Sequence, residues 1–203
     1  MMRVRKIVLF ILMILFLGFA QTAMAEPTYE ELAAYWAPVI SQDIDDANVS
    51  AEYITKFNYD GDWCGCNNWD NLDYDYYHLP AYVYYWVVET KTHYFIGYAL
   101  FHPRDWSSWG IGEHENDMEG ILLTIKKSDQ HEYGQFVAMV TIAHSDFWSY
   151  TDKDTPNSSP WYDLVAPSQN VRNGKEDIDG DVDFVIDDFG FHPVIYVQSE
   201  GHG

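Results

Sequence analysis

The sequence predicts a mainly β fold: an antiparallel β-sandwich with an N-terminal amphipathic helix and long loops. Apolar and aromatic runs of strand length recur between residues 81 and 198, separated by Gly, Asn, Asp and Pro clusters. Aromatic residues make up 17% of the chain, which suits a thick β core better than a helical bundle. Only residues 29–41 carry a clear helical period.

The elements follow in order. Arg3, Arg5 and Lys6 precede an apolar run from Ile7 to Ala20, too short for a comfortable bilayer span, and Ala23-Met24-Ala25 is a small-x-small cleavage site. Residues 1–25 therefore read as a signal peptide, and the mature chain is expected to start at Glu26 as a secreted or periplasmic protein. No later stretch could span a membrane. Residues 26–203 have the length of a single domain.

Thr28-x-x-Glu31 is a capping box, and Leu32, Tyr35, Trp36, Val39 and Ile40 follow an i, i+3, i+4, i+7, i+8 pattern. This predicts a helix over about 29–41, disturbed near its end by Pro38. Ala81 to Val88 is apolar on both faces, which predicts a central strand covered on both sides. Thr90-Lys91-Thr92 turns into a strand over His93 to Phe101. Gly120 to Ile125 and Tyr133 to Ile142 form a hairpin. Residues 151–181 read as loop, and Asp183 to Ile186 and Pro193 to Gln198 as closing strands. The sequence stops at Gly201-His202-Gly203 directly after a strand, so a C-terminally truncated chain is one reading.

The predicted leader holds three of the 11 Lys and Arg and none of the 32 Asp and Glu. That leaves eight basic against 32 acidic residues, a net charge of −24. Such a surface repels phosphate backbones and anionic lipid surfaces, so nucleic acid is excluded as a partner. It suits divalent cations. The two cysteines, Cys64 and Cys66, are compatible with a strained disulfide, a free pair or an intermolecular bridge.

The densest polar cluster is Glu113-His114-Glu115-Asn116-Asp117-Met118-Glu119, preceded by Asp105 and the turn Gly110-Ile111-Gly112. If residues 117–125 are extended, Asp117, Glu119 and Ile121 share one face. Two carboxylates and an imidazole at a strand mouth repel unless a cation or protons neutralise them, and hard divalent ions prefer such oxygen ligands. A solvated acidic loop is the plainer reading. A second cluster, Asp177, Asp179, Asp181 and Asp183 around Gly180, has the look of a calcium loop without EF-hand spacing. Asp60-Gly61-Asp62 is a weaker candidate of the same kind. His102 and His192 are candidates for supporting positions.

Pro103-Arg104-Asp105, Gly110-Ile111-Gly112 and His114-x-x-Asp117-x-Glu119 together resemble the signature of the necrosis- and ethylene-inducing peptide-like proteins. The looser His-Glu-x-Asp-x-Glu form is closer to the related vacuolar-protein-sorting-sixty-two-like family. Tyr35 to Ile40, Val140 to His144, and Pro193 to Val197 followed by Gly201-His202 are similar to that family in the same order. The resemblance implies a β-sandwich with one Ca²⁺ or Mg²⁺ at the top of the strands. It carries Asp105, His114, Asp117 and Glu119 over as metal ligands, with His144 and His202 as further lining. Glu113 is an extra residue, and Asn116 and Met118 replace a His and a Trp of the heptapeptide. The cytolytic, sphingolipid-binding activity of the necrosis-inducing proteins is therefore not carried over.

Three function classes follow. The first is an exported, metal-dependent recognition module for glycans or lipid headgroups, with Trp106, Trp109, Trp148 and Trp161 available for sugar stacking. The second is a metal-dependent hydrolase with Glu115 or His144 as base. The third is a structural domain whose cation only holds loops together. No Gly-x-Ser-x-Gly nucleophile motif is present.

Overall fold

The computed structural model describes residues 26–74, 78–143, 146–152 and 179–202. The expected signal peptide lies outside them, as do His144, Trp161 and Asp177. The fold is mainly β and consists of two sheets. The larger has six strands in the order β2-β3-β4-β5-β6-β7: Val83–Glu89, His93–Asp105, His114–Lys126, Gln135–Ala143, Asp146–Thr151 and Gly180–Asp181. The smaller has three in the order β1-β9-β8: Val39–Gln42, Phe191–Val197 and Phe184–Ile186. Neighbours are antiparallel except β1–β9 and β6–β7, which run parallel.

Helix α1 spans Tyr29–Tyr35. The Thr28 hydroxyl accepts from the Glu31 amide, and the Glu31 carboxylate accepts from the Thr28 amide, so two N-terminal amides are satisfied reciprocally. The helix is shorter than the 29–41 expected. Trp36 caps it, and Val39 and Ile40 belong to β1, paired with Val194 and Ile195. Pro38 cannot continue the helix, and strand pairing then captures the next residues. A four-residue helix, α2, spans Asn68–Asn71.

Between the sheets lies one main core. Trp36 sits fully buried against Phe136 and Phe191, and its indole N–H donates to the Tyr133 carbonyl at 2.8 Å. Ile96, Leu123 and Ile125 complete the floor, each wholly buried. Burying each such side chain contributes about 1.5–3 kcal/mol. Helix α1 docks where Gly190 permits it, because a Cβ on Gly190 would collide with the Tyr35 carbonyl.

One strand departs from expectation. The aromatic run at 81–88 forms β2, an edge strand rather than a covered central one, and leaves Tyr85, Trp86 and Val88 about half exposed. Trp86 lies flat over Gly97 of β3, the only residue type that leaves it room. A second, smaller core of Ala51, Tyr59 and Leu72, with Trp106 against it, anchors the segment before β2 at the upper end of β3.

Candidate functional site

Strands β3 and β4 pair in register from His93–Lys126 up to Asp105–His114. The pleat gives each strand an inner row. On β4 that row is Asp117, Glu119, Ile121, Leu123 and Ile125, all buried, while Met118 points out. On β3, Leu100 faces Glu119 and His102 faces Asp117. The apolar rows thus turn polar over their last two pairs without leaving the interior.

Two distant segments complete this end. The tail after β9 brings His202 in at φ 53°, fully buried, with Nδ1 3.1 Å from Asp117 Oδ2 and Nε2 3.5 Å from Glu52 Oε2. Its ring stacks on His102 at 3.7 Å with planes 9° apart. Glu52, from the turn-rich stretch after β1, is fully buried and receives the Glu200 amide at 3.4 Å. Ser108 in the β3–β4 loop donates from its amide and hydroxyl to the Glu200 carboxylate, which ties that loop to the tail. Trp109 and Ile111 stand exposed at the loop's tip, 84% and 80%.

The electrostatics are set by burial among unlike groups. Burial alone would raise the Asp117 carboxyl, but the hydrogen bond from His202 and the fields of His202, His102 and His114 outweigh it and lower the pKa. Burial raises Glu52, with His202 and the Glu200 amide opposing. Burial pushes the His102 imidazole down to about 3, reinforced by His202 and opposed by Asp117, so His102 stays neutral at ordinary pH.

The four residues expected to hold a metal form two groups. Asp117 and Glu119 share the inner face. Asp105 and His114 are a cross-strand pair one pleat away, with His114 Nε2 3.3 Å from Asp105 Oδ2. Between the groups Asn116 sits at φ 64°, which breaks the regular pleat. Its side chain accepts from Asn68 and donates to the Gly65 carbonyl. Among the described residues, no group of three or more His, Cys, Asp or Glu side chains is arranged to hold a metal ion. The donor chemistry nonetheless fits a hard cation. Asp105, Asp117, Glu119 and Glu52 are each at most 5% exposed. Arg104, the one buried basic side chain among the described residues, turns to Asp73 and to the Trp69 carbonyl.

Other sequence candidates fall elsewhere. The Glu115 carboxylate accepts the Trp69 amide at 2.8 Å and anchors α2. His192 lies at the far end of β9, with Nδ1 2.6 Å from the Ala37 carbonyl and Nε2 3.2 Å from Asp187, so it is remote from the mouth. Asp179 accepts the Ser149 amide and hydroxyl beside β6. Asp181 and Asp183 border the gap between the sheets. Cys64 and Cys66 close on each other as a disulfide. Glu52 has no local sequence signal: only the folded chain brings it to the tail, 148 positions away.

The fold and this mouth define an acidic β-sandwich protein with carboxylates and imidazoles gathered at one end of the strands. No family profile and no curated protein matches the chain by sequence. Among solved structures it resembles those of necrosis- and ethylene-inducing proteins. One, described as a toxin fold for microbial attack and plant defence, is 16% identical, with 90% of this chain and 81% of that one covered at a TM-score of 0.41. Necrosis and Ethylene inducing Protein 2 from the causal agent of cocoa's Witches Broom disease is 14% identical over 90% and 80%, at 0.42. NLPPya in complex with glucosamine is 15% identical over 89% and 82%, at 0.39. With all three TM-scores below 0.5, the chemistry of this mouth has to be read from its own residues.

Proposed function

We propose that the protein is an exported recognition module that binds one divalent cation, Ca²⁺ or Mg²⁺, at the acidic mouth and presents it to a glycan or lipid headgroup. Asp117 and Glu119 supply the inner ligands, with Asp105 and His114 beside them. One observation carries this reading: four carboxylates, each at most 5% exposed, lie at one end of the sandwich. Carboxylates in such density repel one another in a low dielectric, and a divalent ion offsets that repulsion. Trp109 and Ile111, exposed on the loop tied to the tail, supply an apolar rim for a docked headgroup. The Glu115 carboxylate already receives the Trp69 amide, which counts against one of the two bases a hydrolase would use. No helix among the described residues is long and apolar enough to cross a membrane.

The test is thermal unfolding of the wild type and Asp117→Ala in EDTA and in millimolar Ca²⁺ or Mg²⁺. Metal is expected to raise the wild-type midpoint, adding about 2.7 kcal/mol at a hundredfold excess over Kd. Asp117→Ala loses that gain, and in EDTA it lies below the wild type, because the His202 bond and the neighbouring imidazoles favour the Asp117 charge. A wild-type midpoint indifferent to metal and chelator alike makes the cluster an acidic end that holds no metal. Metal stabilisation without chelation-sensitive binding on a glycan array or to lipid-headgroup vesicles leaves a cation that only holds loops.

A further inference from the structure

Cys64 and Cys66 are the only cysteines in the chain, and both ends of their disulfide stand exposed. The bond encloses a single residue, Gly65. Closing so short a loop removes little freedom from the unfolded chain, so global stability is a weak account of it. What it fixes is local. The Gly65 carbonyl accepts from the Asn116 side-chain amide at 2.7 Å, and the Asn68 side-chain amide, two residues past Cys66, donates to the Asn116 side-chain oxygen at 2.6 Å. A Cβ on Gly65 would lie 2.9 Å from the Phe57 ring and 3.0 Å from the Asn116 side chain, so glycine alone fits without a shift. The next amide along, that of Trp69, donates to the Glu115 carboxylate. The disulfide loop and the start of α2 thus hold two consecutive residues of β4.

Asn116 depends on that hold. Its φ of 64° is one that Asn tolerates but does not prefer. Cross-strand pairing runs through His102–Asp117 and Arg104–Glu115 but not through Pro103 and Asn116 between them, because Pro103 has no N–H to give the ladder. The side-chain grip on Asn116 comes instead from Gly65 and Asn68, one on each side of Cys66. Exposed disulfides are the ones that exchange with external thiols. We propose that Cys64-Gly65-Cys66 is a thiol–disulfide exchange site for an external dithiol, and that its reduction releases Asn116 and the adjoining turn of β4. A thiolate of the dithiol attacks one sulfur, the S–S bond breaks, and a mixed disulfide forms while the other cysteine leaves as a thiolate and takes up a proton. The second thiol of the dithiol, losing its proton, displaces the first cysteine, which is protonated in turn. Two electrons have passed to the protein, leaving two cysteine thiols and an oxidised dithiol. Reoxidation within the chain can only restore the same bond, since no third cysteine exists.

The experiment incubates the purified protein, in EDTA and without denaturant, with dithiothreitol at several ratios to its oxidised form. Iodoacetamide then quenches the reaction, and intact mass counts the alkylated thiols. Two alkylations are expected to appear together and to vanish on reoxidation. Hydrogen exchange at the same ratios reads the consequence: peptides over 65–69 and 114–117 should exchange at least about tenfold faster in the reduced protein, and peptides over 121–125 should not change. The double variant Cys64→Ser, Cys66→Ser should show the reduced pattern with no reductant present. Asn116→Ala should give fast exchange over 65–69 while the disulfide is intact. Reduction that requires denaturant overturns the proposal, as does reduction that leaves 65–69 and 114–117 unchanged. So does reduction that also unprotects 121–125, since the bond would then support the whole fold. A species of twice the chain mass that dithiothreitol halves would put the bond between two chains and overturns it as well. Failure of the metal reading leaves this experiment untouched, because it contains no metal.

Discussion

Halfway along β3 and β4, Ile96 faces Leu123 and Tyr98 faces Ile121, and nothing polar is required of them beyond the Tyr98 hydroxyl, which donates to the Ala33 carbonyl. Two pairs further on, His102 faces Asp117 on the same inner row, just as deeply buried. The backbone does the same thing in both places. In the first, burial itself supplies the stability. In the second, burial is a cost, which the His202 bond and the neighbouring imidazoles outweigh at Asp117 but which prevails at His102 and Glu52. A sheet can thus carry its functional chemistry as a continuation of its core, and the two halves should respond to opposite perturbations.

The largest expected effect is in the apolar half. Phe191→Ala removes a ring packed between Trp36 and Phe184 and should cost about 3–5 kcal/mol, read from urea unfolding at constant m-value. An equal loss from Asp117→Ala in EDTA would erase the contrast between the halves. Next comes the metal-dependent gain of about 2.7 kcal/mol at the mouth, which the apolar half cannot show.

Acid should also separate them. The unfolded chain protonates His102 near its ordinary 6.5, whereas the folded chain keeps it neutral down to about 3. The unfolded state therefore binds more protons in that window, and stability falls with falling pH by up to about 1.4 kcal/mol per unit. The lowered Asp117 has the same sign below its ordinary 3.8, and the raised Glu52 has the opposite sign, gaining stability as pH falls toward its ordinary 4.5. His102→Leu should flatten the slope between pH 6.5 and 4.5. An unchanged slope, measured by unfolding midpoints across that range, would mean that the imidazole is not held neutral. The smallest effect lies outside both halves: Thr28→Ala removes the helix cap and should cost about 1 kcal/mol with no dependence on metal or pH above 5.

Much of the mouth was legible where it is local. The alternation in His114 to Lys126 already puts Asp117 and Glu119 on the face of Ile121, and the structure keeps them there. The break at Asn116 was not legible, because a positive φ at one residue leaves no period behind. Neither was Glu52, whose role depends on a tail that only the folded chain brings near. The run at 81–88 shows the limit of composition: Tyr, Trp and Val favour a strand, but whether that strand is central or at the edge depends on what packs on it. Asp146–Thr151 holds the strand formers Phe147, Trp148, Tyr150 and Thr151 and becomes β6 through pairing with β5. Val39 and Ile40 satisfied a helical period and were claimed by a partner strand instead.

That partner strand also sets the order of assembly. β1 pairs with β9, and the contact from Ala37 to His192 spans 155 positions. The ribosome releases β1 early and β9 late, so the helix and first strand wait, unpaired, while β2 to β6 form by nearest-neighbour hairpins. Closing so long a loop is slow, which makes the three-stranded sheet the last to form and the first exposed edge available to another chain.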